Sequence, residues 1–215
     1  MQTLITILPD LNQLIPSLIA QYGNWIYIGL FAVVFIETGV VVMPFLPGDS
    51  LLFLCGSLAA LGSSLDIWLL LGLLGLAAIL GDFVNFKIGQ HFGSYLTNTT
   101  KFRRFIKPEY LEQSKTFFRK HGKIAIFLGR FMPIIRTFVP FTAGISRMHY
   151  GSFVLYNVLG GMSWVSVAVC AGYFFGNIPF VKVHFEFIMI VIIVISLLPA
   201  AIMAIRRRKA PIHEK

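Results

Sequence analysis

Four ionisable residues stand in otherwise apolar surroundings, Glu37, Asp49, Arg130 and Arg136, with Asp82 a fifth near the end of its apolar run. A charge placed centrally in a lone membrane helix costs about 2.5–3.5 kcal/mol on insertion scales, so each of these residues needs a partner or a polar cavity. Two readings follow. Opposite charges can neutralise one another as ion pairs that merely hold a bundle together. Alternatively the set lines a cavity, because buried pairs are a poor route to stability when apolar packing often does as well. Arginine rather than lysine at both basic positions favours planar, two-pronged capture of phosphate. Glu37, set among Phe35, Ile36 and Val40, is the candidate proton carrier.

Other chemistries find little footing. The five histidines, His91, His121, His149, His184 and His213, do not pair at i,i+4, so no metal site is expected. Cys55 and Cys170 lie in apolar runs without CxxC spacing, which indicates small buried hydrophobes rather than zinc ligands or disulfides. Ser146, Arg147 and His149 lie together, yet the spaced Arg, His and Asp set of a phosphohistidine enzyme is missing, so neither enzyme activity nor a cofactor is expected.

The elements that must position these residues are set by composition. The chain has 215 residues, 57% hydrophobic and 13% charged, where an ordinary soluble domain carries about 25% charged residues. One membrane-embedded domain, residues 1–215, is the expectation. A net charge of +9 would suggest nucleic acid in a soluble protein, but 8 of the 18 basic residues fall between Lys101 and Lys123 and five between Arg206 and Lys215. Clusters beside apolar runs mark cytoplasmic loops, and no basic helix with interleaved polar readers appears, so nucleic acid is not expected. The N-terminus lacks a basic n-region and a small-residue cleavage site, which predicts that the first segment is retained.

Along the chain, residues 1–24 carry an amphipathic segment, with Leu11, Leu14, Ile15, Leu18 and Ile19 on one helical face. Trp25 to Met43, Ile67 to Ile88, Phe153 to Phe175 and Phe187 to Ile205 are predicted spanning helices. Between them, residues 44–62 and 124–145 are apolar but too short or too broken to cross. Pro44, Pro47 and Gly48 interrupt the first, and Pro133, Pro140 and Gly144 the second. Both are predicted to be re-entrant hairpins, a backbone tolerated at depth only where protein or a cavity shields it. Residues 91–123 form a basic cytoplasmic loop with a helix starting at Pro108 and ending near Gly122, and 206–215 a basic cytoplasmic tail. With both inside, the N-terminus is inside too, and the hairpins open from opposite faces as in an inverted repeat. IGQHFG at 88–93 and AGYFFG at 171–176 echo that repeat.

The motifs resemble those of the bacterial DedA family, within the wider VTT-domain, or SNARE-associated Golgi, superfamily. The resemblance rests on ETG at 37–39, PFLPGDSLLF from Pro44, GD at 81–82 with Asn85 following, and GRFMPIIRTFVPFTAG ending at Gly144, then Met148; it covers about residues 22–205. It implies opposed re-entrant hairpins and an all-α protein of the bacterial inner membrane that depends on the proton motive force. The implied partner is undecaprenyl phosphate or phosphatidylethanolamine, moved across that membrane. By the same resemblance Glu37 and Asp49 are the acidic pair, Arg130 and Arg136 the essential arginines, and Asp82 and Asn85 supporting residues. A proton-coupled antiporter of small cations or drugs, or a non-transporting assembly factor, remains open as an alternative, and so does a homo-oligomer.

Overall fold

The computed structural model describes residues 23, 25–39, 48–62, 65–98, 108–132 and 135–183. The expected N-terminal amphipathic segment, Pro44, Pro47, Pro133, the last predicted span and the basic tail lie outside the described residues. Within them every regular element is helical: α1 (Trp25–Gly39), α2 (Gly48–Ala60), α3 (Ile67–Asn98), α4 (Pro108–His121), α5 (Ala125–Gly129), α6 (Phe138–Ile145), α7 (Tyr150–Gly176) and α8 (Pro179–Val183), with a single 3-10 turn, Gly122–Ile124, before α5.

Two helices are long and apolar enough to cross a bilayer, Ile67–Phe92 within α3 and Tyr150–Gly176. At about 1.5 Å per residue either exceeds a hydrocarbon core of roughly 30 Å. Their outward faces stay apolar, with Trp68 77% and Phe174 72% exposed. Such faces need lipid or another apolar partner to cover them. Asp66 starts α3: its Oδ1 accepts the Leu69 N–H at 2.9 Å, while its own N–H donates to the Tyr27 hydroxyl at 2.8 Å. α3 continues to Asn98, into residues that the sequence assigns to the basic loop. Nothing in KIGQHFGSYLTN forces a stop, since it has no proline and an interior glycine costs only about 1 kcal/mol against alanine.

α2 begins at Gly48, which puts Asp49 in its first turn, where a carboxylate complements the free N–H groups. At 13 residues it is too short to cross. α4 ends as the sequence predicts, at Gly122 with φ +59°, a conformation that favours glycine. Ser114 on α4 shares a buried hydroxyl–hydroxyl bond of 2.9 Å with Thr142 on α6.

The two short helices are exchanged between halves: α2 lies along α7, and α6 along α3. Both pairings are backbone to backbone. A Cβ on Gly56 would stand 2.0 Å from the Val169 carbonyl oxygen, and one on Gly172 2.0 Å from that of Phe53. On the other side, Gly144 would meet the Phe86 oxygen and Gly89 the Phe141 oxygen, each at 2.2 Å. The contacts correspond, for Phe53 precedes Gly56 as Phe141 precedes Gly144, and Phe86 precedes Gly89 as Val169 precedes Gly172. Small residues that let helix backbones touch drive such packing where lipid replaces water. Around these seams sit two cores, one of Val34, Leu52, Leu70, Leu74 and Val165, the other of Ile126, Val139 and the stacked rings of Phe86 and Phe153, 4.1 Å apart.

Candidate functional site

The exchanged packing brings five parts of the chain to one place. Glu37 comes from the last turn of α1, Asp49 from the first turn of α2, Asp82 and Asn85 from α3, and Asn157 and Trp164 from α7. Arg130 and Arg136 come from the turn joining α5 to α6. Local sequence makes the approach feasible. A Cβ on Gly48 would fall 1.6 Å from Glu37 Oε2, so only glycine lets the start of α2 lie on that carboxylate. On α7, Gly160 lets the α5 backbone at Phe127 come close and Gly161 leaves room for Ile79.

The charges divide into two sets. Arg136 Nη1 donates to both oxygens of Asp49, at 2.7 and 2.8 Å, and its Nη2 donates to Glu37 Oε1. Arg130 Nη2 pairs with Asp82 Oδ2 at 2.5 Å and donates to the Ala78 carbonyl at 2.9 Å and to Asn157 Oδ1 at 2.8 Å. Trp164 links the sets. Its indole N–H donates to Asp49 Oδ1 at 2.9 Å, and its ring lies 5.1 Å from the Arg136 guanidinium and 5.9 Å from that of Arg130.

The members differ in exposure. The side chains of Glu37, Asp82, Arg130 and Arg136 are 1%, 5%, 5% and 10% exposed, whereas Asp49 is 52% exposed. Asp49 is therefore the open edge of the cluster. Asn85 is wholly buried and donates to the carbonyls of Thr38 and Thr137, tying α1, α3 and the α5–α6 turn together. Four buried polar atoms here have no partner: Glu37 Oε2, Asn85 Oδ1, Arg130 Nε and Thr137 Oγ1. Stranded polar atoms in a packed interior are costly.

Among the described residues, two cavities touch the cluster. A small one of about 10 Å³ lies among Thr38, Asp82, Arg130, Arg136, Thr137 and Trp164, room for roughly one water. A larger one of about 260 Å³ runs from Asp49, Arg130 and Arg136 past Trp164 and Phe131 to Val167, Ala168 and Ala171. Both guanidiniums border both spaces.

The residues named from sequence thus meet, with some differences in arrangement. Asp82, assigned a supporting place, is as deeply placed as the arginine it pairs with. Gly48 and Gly144 act as close-approach positions, and Pro140 lies buried within α6. Trp164 and Asn157 were not singled out; the signal for them is a hydrogen-bonding tip in the middle of an apolar span, which demands a partner. Among the described residues no group of three or more His, Cys, Asp or Glu side chains is arranged to hold a metal.

Residues 46–174 match the VTT domain family model. The chain is 46% identical to Protein DedA of Escherichia coli over 195 residues, 90% of this chain and 89% of that protein. It is 41% identical over 218 residues to an uncharacterized membrane protein of Mycobacterium tuberculosis, covering 98% and 95% of the two chains. To the inner membrane protein YghB of Escherichia coli it is 37% identical over 181 residues, 83% and 81% of the two. No solved structure matches it.

Proposed function

The chain belongs to the DedA family of VTT-domain membrane proteins, and from that membership we propose that it moves a phosphate-bearing lipid across the bacterial inner membrane, driven by the proton motive force. Undecaprenyl phosphate and phosphatidylethanolamine are the two candidate substrates. The observation that carries the reading is the Arg136 guanidinium, largely enclosed in an apolar bundle, held by two carboxylates, and bordering a cavity of about 260 Å³. Its Nη1 meets both oxygens of Asp49 and its Nη2 one oxygen of Glu37, and with both nitrogens turned onto a single anion the same guanidinium makes the two-pronged grip of a phosphate. Asp49 is the half-exposed member of that grip, so it is the group a phosphate displaces.

Charge balance couples this exchange to protons. Three carboxylates face two guanidiniums, so the fully ionised cluster carries one surplus negative charge in a region where uncompensated charge is costly. An entering phosphate adds to that surplus, and protonation of a cluster carboxylate reduces it by one charge. Phosphate entry and proton uptake then favour each other.

Around this centre we place four spans, with 44–62 and 124–145 as hairpins entering from opposite faces and both termini in the cytoplasm. The matched glycine seams of α2 on α7 and α6 on α3 support that inverted repeat. The phosphate step is tested by measuring binding of a long-chain lipid phosphate to the purified chain and to Arg136→Lys. Lysine keeps the charge but not the fork, and affinity should fall by about ten- to hundredfold. Equally tight binding in both proteins would leave the cluster as structural ion pairs.

A further inference from the structure

The larger cavity does not end at the charges. Trp164, Val167, Ala168 and Ala171 recur at helical spacing, so they form one stripe along α7. The stripe leaves the cluster at Trp164 and faces outward by Val167, which is 61% exposed; Phe131, 45% exposed, forms the opposite wall. Further along the same face come Phe174 and Phe175, 72% and 41% exposed. The space is polar at one end and apolar along its length. At the polar end Arg130, itself only 5% exposed, borders it and has an unpartnered Nε–H.

We propose that this groove between Phe131 and the Val167–Ala171 face of α7 is a lateral portal that holds the first segment of the substrate's hydrocarbon chain while its phosphate sits at Arg136. The inference rests on the phosphate reading above and adds to it the place and direction of the lipid tail. The occupant is fixed by the two ends of the groove: cationic donors demand an anionic head, and an exposed apolar wall inside a bilayer demands a chain that remains in lipid. The small side chains Ala168 and Ala171 set the depth of the floor, and a larger residue there occupies the space of the chain without touching a charged group.

The experiment compares two ligands on the full chain in detergent, inorganic phosphate and a long-chain lipid phosphate, for wild type, Ala171→Trp and Val167→Trp. Val167 is largely exposed, so its variant disturbs little packing and keeps the test valid if Ala171→Trp misfolds. Both variants should bind inorganic phosphate as wild type does and bind the lipid phosphate about tenfold more weakly or worse. Unchanged lipid binding in the folded variants would overturn the portal while leaving the phosphate site standing. Parallel loss of both ligands would also overturn it, since the substitutions would then act on the cluster. Saturable binding of neither ligand to wild type would overturn the phosphate reading and the portal with it.

Discussion

At the scale of single residues, the cluster's chemistry turns on which carboxylate holds Arg136 and which holds the proton. Glu37 is enclosed on all sides with Oε2 unpartnered, whereas Asp49 stands at the cavity edge. Removing either charge should therefore have different effects. Glu37→Gln is expected to abolish proton-driven transport with membrane insertion unchanged, and full activity from about pH 6 to about pH 9 would remove it from coupling. Asp49→Asn takes away the competitor for the guanidinium fork, so a phosphodiester lipid should bind more tightly. On the proposed reading the phosphate-bound state holds more protons than the free one, so affinity should rise as pH falls through that range, and the slope should flatten in Glu37→Gln. Binding isotherms at several pH values check the sign. The types of these residues were legible in the sequence because charges are so rare in it. Their pairing was not, since Arg130 with Asp82 and Arg136 with Glu37 and Asp49 depend on which helices meet. Trp164 escaped notice for the same reason: as one aromatic in an apolar span it looks like packing until its indole N–H is seen to meet Asp49.

Among the elements, the exchanged seams hold the site together. Periodicity and proline placement were enough to mark α2, α3, α6 and α7, because long apolar runs and broken short ones leave distinct patterns. The echo of IGQHFG in AGYFFG was visible too, but its meaning required contacts: Gly89 and Gly172 are where the partner half's short helix presses its backbone. The extension of α3 to Asn98 was missed because polarity after Ile88 suggested a loop, and polar residues are no obstacle to a helix that leaves the bilayer. Gly172→Ala and Gly89→Ala each force a methyl into a carbonyl oxygen, and overpacking of this kind typically costs about 1–3 kcal/mol. Both should lower thermal stability in detergent, by similar amounts if the two seams are equivalent. A Ser57→Ala variant, which loses only the bond from Ser57 Oγ to the Gly172 carbonyl, should lower it less. Unchanged melting in both glycine variants would contradict the close packing.

For the whole molecule, the seams make the halves interdependent, and the position of α3 matching the floor of the α7 groove is filled rather than open. Asn85, matching Ala168, is wholly buried and hydrogen-bonded to both Thr38 and Thr137. Opening of one path and closure of the other is the exchange an inverted repeat performs around a fixed site. Orientation is tested by labelling. With Cys55 and Cys170 replaced, a cysteine at Lys115 on α4 should react with an impermeant thiol reagent only from the cytoplasmic side, and one at Asn177 only from outside. Selective outside labelling at position 115 would reverse the topology.

The central claim is that this cluster moves a lipid phosphate, driven by the proton motive force, and transbilayer movement measures it most directly. The full chain is reconstituted in liposomes with a labelled lipid phosphate, with and without an imposed proton gradient, beside Arg136→Lys, Glu37→Gln and a small-cation efflux control. Wild type should move the lipid faster than protein-free liposomes and faster still with the gradient, both variants should fall to the protein-free rate, and cation efflux should be unaffected. Gradient-driven cation movement without lipid movement, or lipid movement equal in wild type and both variants, would contradict the account.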